Sequence, residues 1–316
     1  MKQFVLSILC LCILGSFAQA QDTTAVDTQY WQYAGIFSFN FNRLDNSKYW
    51  QAGGLPVITA QGDIRAAANY QRNRITWNNS IIMALGTQKQ GKGDSVDFIK
   101  NLDQLELTSS FGYRYKPKWL GTVLLNFRTQ FAEGFEFPDD QPTVNRIGPV
   151  SNFMAPGYLE LGIGIEYNPA PPLTFFYTPA NMKATIVRIP EFRPRYIPQD
   201  ITTGSTRIEL GSKLTIRYQQ EILPKFIITS NANFFMNYLQ NFGNIDVNWD
   251  ALVSYQLQEW LAISFGTLLL YDDDVKFVIE TDGMGNPTRV GPRTQFQYNL
   301  TVGITYNFVS FLGLNR

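Results

Sequence analysis

Polar and apolar residues alternate along much of this chain with a period of two. Between 295 and 308, Phe296, Tyr298, Leu300, Val302, Ile304, Tyr306 and Phe308 alternate with Gln295, Gln297, Asn299, Thr301, Gly303, Thr305 and Asn307. Successive strand side chains point to opposite faces, so this segment predicts a strand with one apolar and one polar face. The pattern repeats where Ile208, Leu210, Leu214, Ile216 and Tyr218 interleave with Arg207, Glu209, Lys213, Arg217 and Gln219. It recurs from Ile245 to Leu257, interleaved with Asp246, Asn248, Asp250 and Gln256, and from Leu159 to Tyr167, interleaved with Glu160, Gly162, Gly164 and Glu166. Weaker versions lie near 31–42, 57–70, 74–86, 102–115, 119–131, 173–188, 225–239 and 261–271. Together they predict about twelve strands, the stretches near 173–188 and 225–239 being the least regular.

Connection lengths separate a membrane barrel from a soluble sandwich. Counted from the first strand, the even connections are brief: Gln71 to Asn73, Lys116 to Lys118, Asn168 to Pro172, Gln220 to Pro224 and Gln258 to Trp260. Most odd ones are long, at about 43–56, 87–101, 132–156, 189–206 and 272–293, and only the link near Asn241 to Gly243 is short. Short turns at one end and long loops at the other mark an outer-membrane barrel. A membrane strand must satisfy its backbone within the protein, so the sheet has to close. The expected fold is therefore all-β, a transmembrane antiparallel barrel of about twelve strands with short periplasmic turns and long extracellular loops. A belt supports it: Tyr70, Tyr115, Tyr167, Tyr218, Tyr255 and Tyr306 each close an even strand in the apolar phase, with Trp77, Trp119 and Trp260 near the following strand starts. Rings with polar tips suit a headgroup boundary.

The N-terminus reads as a secretory signal peptide over 1–20: Lys2, an apolar run from Phe4 to Leu14, and Ala18-Gln19-Ala20 as a small-x-small cleavage site. A single barrel domain is expected over 21–316. Cys10 and Cys12 both fall in the signal, so a mature chain would carry no thiol. Beyond it no run of about eighteen apolar residues predicts a membrane helix.

Composition then narrows the chemistry. The chain has 26 basic and 26 acidic residues, which gives no footprint for nucleic acid. The polar phase places Asp63, Arg65, Arg74, Glu106, Arg114, Arg128, Glu160, Glu166, Arg207, Glu209, Lys213, Arg217, Asp246 and Asp250 towards the lumen. Both signs are represented, so no one-sign ring argues for ion selection. Histidine is absent, which disfavours Ser–His and Asp–His hydrolysis and a typical zinc site. No enzyme activity, cofactor or metal is expected. Two loop features stand out: Asp272-Asp273-Asp274, whose carboxylates could bind calcium, and Arg188, Arg193 and Arg195 among prolines. The expected partners are outer-membrane lipid and an envelope protein held by the long loops. The alternatives are a narrow passive channel or transporter for small polar solutes and, more weakly, an envelope enzyme using a carboxylate pair or a Ser–Lys arrangement.

Trp50-Gln51-Ala52-Gly53-Gly54 stands just before the second predicted strand, and Asn69-Tyr70 and Trp77-Asn78-Asn79-Ser80 flank the first short turn. These segments resemble a family of Bacteroidetes outer-membrane β-barrels that carries only a domain-of-unknown-function label. Tyr49 replaces the asparagine that often precedes the tryptophan there. The resemblance implies a compartment and a bacterial group, not an activity. Gly303, Tyr306 and Phe308 likewise resemble the C-terminal assembly signal of outer-membrane proteins, although Val309 to Arg316 follow.

Overall fold

The computed structural model of this chain describes residues 30–44, 57–90, 98–136, 147–197, 204–240, 242–282, 284 and 287–307. The predicted signal peptide and the Trp50 to Gly54 motif lie outside them.

Its strands in chain order are β1 (Trp31–Leu44), β2 (Val57–Arg72), β3 (Ile75–Gln90), β4 (Ile99–Lys116), β5 (Trp119–Thr129), β6 (Gly134–Glu136), β7 (Ile147–Ser151) and β8 (Gly157–Ala170). There follow β9 (Leu173–Ile186), β10 (Thr206–Leu223), β11 (Phe226–Asn237), β12 (Asp246–Gln258), β13 (Leu261–Tyr271), β14 (Phe277–Thr281), β15 (Pro287–Gly291) and β16 (Gln295–Asn307). Twelve of these form one closed antiparallel barrel, with β16 pairing β1 to seal it. β6–β7 and β14–β15 are separate two-stranded hairpins in the long connections.

Closure follows from the alternation. In β12, Val247, Trp249, Ala251, Val253 and Tyr255 share the outer face, and Asp246, Asn248, Asp250 and Ser254 share the inner one. Across the wall Phe37 faces Ile64, Ile64 faces Met83 and Met83 faces Leu105, so one apolar surface runs from strand to strand. Of these, Phe37, Ile64 and Met83 are exposed on the outside of the barrel, as Ile163, Ile304 and Leu300 also are.

The turns are tighter than the sequence suggested. β2–β3 and β10–β11 are joined by two residues each, Asn73-Arg74 and Pro224-Lys225. Asn73 and Lys225 take positive φ, the conformation that hairpin twist requires at such turns. Arg74 was expected in the lumen but stands in the first of these turns and is exposed. Asparagine accepts positive φ readily, so the turn forms one residue later than its polarity indicated.

β9 contains a bulge that explains its irregular reading. Outward residues run Phe175, Tyr177, then Ala180 and Met182, because Pro179 sits where the register shifts against both neighbours. Proline cannot donate to a ladder and is tolerated at such a bulge. Opposite it stands Gly164, where a Cβ would collide with the Tyr177 carbonyl and lie 2.7 Å from the Thr178 Cα.

Candidate functional site

The inner wall divides into a packed part and an open part. On β8, β9 and β10, Glu160, Lys183 and Glu209 stand side by side in register. Lys213 reaches past β9 and donates to both Glu160 oxygens, at 2.7 and 3.0 Å. Arg207 donates to Glu209 at 3.2 Å and to Asp274 at 3.3 Å. These charges are mostly removed from solvent, with Lys213 and Glu160 only 15% and 17% exposed. The Lys183 ammonium lies over the Phe235 ring, 3.2 Å from its centroid, a favourable cation–π placement. Phe235 leans across Gly211, where a Cβ would stand 2.9 Å from the ring.

Around this cluster the inner face is apolar where polarity was expected. Leu120, Leu124, Phe176 and Phe235 point inward and are among the most buried side chains of the chain. Between them, Glu106 accepts from Gln104 and Asn126 at 2.7 Å, and Arg128 lies over the Tyr158 ring at 4.9 Å. Near the turns, Glu166 accepts from Asn168 at 2.8 Å and Arg114 donates to the Pro117 carbonyl at 2.8 Å. The remaining arc is more open. Arg65 pairs with Asp63 at 3.2 Å while staying 59% exposed, Arg217 is exposed, and Asp250 accepts from Asn231 at 3.2 Å. Asp246 opens β12 on the inward face, opposite Phe235.

The structure thus brings Glu160, Arg207, Glu209 and Lys213 together and leaves Asp63 and Arg65 apart from them. Sequence reasoning missed Lys183 and Phe235. The bulge at Pro179 reverses the odd–even phase ahead of Lys183, and Phe235 lies in a segment where Phe234 and Phe235 are adjacent, so the inward one cannot be chosen by alternation.

The belt residues lie beside the turns. Trp31, Tyr70 and Trp77 pack at 5.2 to 5.8 Å between rings, Trp119 stacks on Tyr167 at 4.4 Å, and Phe226 meets Tyr255 at 6.4 Å. Tyr115 is exposed on the outer face, and Tyr218 lies in the outward phase of β10, which runs on to Leu223. Tyr306 pairs with Phe37 at the closing seam.

At the other end the loops build structure of their own. Ala155, Val187, Phe192 and Ile197 form a small buried core, with Tyr196 and Ile189 packed against it. Arg188 donates its backbone N–H to Met154, and Arg193 Nε donates to the Val187 carbonyl at 3.3 Å. The acidic triplet ties its loop to itself and to its neighbours: Asp272 accepts from the Asp274 N–H at 2.8 Å, and Asp273 accepts from Asn244 of the β11–β12 connection at 2.8 Å and from Lys276. Among the described residues no group of three or more acidic side chains is placed to hold a metal ion.

A family model described as "Protein of unknown function (DUF3078)" matches residues 28–135, about a third of the chain. No curated protein matches the sequence. Among solved structures, the chain is similar to the COG4313 outer membrane channel from Pseudomonas putida F1, at 12% identity and a TM-score of 0.41, over 90% of this chain and 100% of that one. It is also similar to the translocator domain of the autotransporter NalP from Neisseria meningitidis, at 8% identity and 0.37, over 87% and 86%. The NanC porin gives 6% identity and 0.37, over 86% and 98%. Likeness this distant leaves the architecture to be judged on the strand pairing itself.

Proposed function

We propose that this chain is a scaffold barrel of a bacterial outer membrane that binds another envelope protein at its loop end and does not conduct solutes freely. The turns would then face the periplasm and the loops the exterior, and the Trp50 to Gly54 motif supports a Bacteroidetes source. The observation that carries partner binding is the folded loop surface. The loops hold their own buried core and two hairpins, yet present Phe242 at 74% and Met284 at 89% exposure. Aromatic and methionine side chains are enriched at protein contact sites. The Lys213–Glu160 pair and the inward Leu120, Leu124 and Phe176 support restricted flow by filling one side of the lumen. The chain has no histidine to serve as a catalytic base, and we propose no enzymatic role.

Co-purification from gently solubilised membranes tests this reading. A partner retained by the unaltered chain and lost from a Phe242→Ser, Met284→Ser variant that still folds supports it. Identical recovery of every protein with both chains refutes it. The second reading, a narrow channel, rests on the exposed Arg65 and Arg217 along the open arc. It requires a steady current in planar bilayers.

A further inference from the structure

The outer wall carries a trough near the loop end. There β2 presents Ala60 and Gly62 outward, Gly62 lying between Phe39 on β1 and Leu85 on β3, and Ile64 closes the other end of the trough between Phe37 and Met83. The chain leaving β5 crosses the outer face of β4 instead of rising away from the barrel. Asp103 accepts from the backbone N–H groups of Phe131 and Ala132, both at 2.9 Å. Lys100 Nζ donates to Asp103, Gln130 and the Ala132 carbonyl, each at 2.7 Å. The Asp103 side chain is 1% exposed, so this latch is desolvated and holds its segment firmly. Phe98, Phe131 and Phe135 line the loop end of the same trough. The trough is open to the surroundings and has a volume of about 620 Å³.

We infer that this trough holds one fatty acyl chain of a membrane lipid. The inference rests on the reading of the outer wall as lipid-facing. The trough is continuous with that apolar wall, and its sides are phenylalanine, leucine and methionine. Its polar latch stands at the loop end, where a headgroup would emerge. A flat strand wall would not fill a trough floored by Ala60 and Gly62 between flanking rings, whereas a string of methylenes would. Bulk lipid is as apolar as the trough, so retention comes from close packing against the rings rather than from escape from water.

The glycine provides the test. A Cβ on Gly62 would meet nothing closer than 3.9 Å, so Gly62→Leu fills the trough without straining the wall. Gly121 also points outward, away from the trough, with open space at its Cβ, so Gly121→Leu adds equal bulk elsewhere. The full chain is reconstituted in phosphatidylethanolamine vesicles, released in mild detergent and weighed by native mass spectrometry. The unaltered chain and Gly121→Leu retain a lipid mass, and Gly62→Leu loses it. Phe135→Ala, which removes a ring from the trough lining, weakens retention as an independent check. Equal retention by Gly62→Leu and the unaltered chain, or only detergent bound, overturns the inference. A photoreactive acyl phospholipid separates the two levels. Labelling at Ile163 without a retained lipid leaves the wall reading intact and removes the trough, whereas no labelling at Ile163 removes the wall reading itself.

Discussion

Lys213 and Glu160 meet at 2.7 Å across an intervening strand, and both are largely removed from water. Exposed ion pairs are worth little, but a desolvated one is costly to break because one charge is left unpaired. Lys213→Met should therefore lower stability by about 2 kcal/mol, the scale of a hydrogen bond to a charged group. Adding Glu160→Gln to it should recover part of that loss. Urea unfolding of the two variants and the pair in lipid checks this, and strict additivity would show that the charges are hydrated and independent. Lys100 has a different role. It ties the segment after β5 to β4, so Lys100→Met should speed protease cleavage within 130–151 while leaving the barrel resistant. Unchanged cleavage would mean that Asp103, with its two backbone donors, holds the segment alone. Some residue positions were legible from phase alone, as Glu160 and Arg207 were. Others were not, because Lys183 follows a bulge and Arg74 follows an asparagine that takes positive φ.

At the scale of elements, alternation identified all twelve barrel strands, since each must present one face to apolar surroundings over many residues. It did not reveal β6–β7 or β14–β15. Strands of three and five residues carry too few positions to establish a period. Nor did it reveal that the lumen is partly apolar, because Leu120 and Leu124 alternate with Val123 and Leu125 in a run that is hydrophobic on both faces. The outer wall also departs from pure apolarity. Trp77 donates to Ser109 at 2.9 Å and Ser109 donates to Asn79 at 2.8 Å, so these polar groups satisfy one another on the outward face. That self-pairing makes them tolerable in an apolar setting. A charge has no such remedy. Ile163 is 56% exposed at the middle of β8's outer face, and Ile163→Arg should cost roughly 2–4 kcal/mol. Folding that stays resistant to detergent after this change would show that the face is wet.

For the whole molecule, the proposed orientation rests on the two unlike ends of the barrel. Protease added to intact cells should cut within the β14–β15 hairpin and spare Pro117-Lys118, which the reverse orientation would invert. The central claim is that the apolar face of each strand meets lipid and the other faces the lumen. It can be measured directly because Cys10 and Cys12 are the chain's only cysteines and fall in the expected signal peptide. Single cysteines placed at 247 to 255 along β12, one at a time, should react in strict alternation with a thiol reagent dissolved in the bilayer core. Positions 247, 249, 251, 253 and 255 should label, and 248, 250, 252 and 254 should not. A water-soluble, membrane-impermeant maleimide that reacted fully at 249, 251 and 253 in the folded protein would contradict the account.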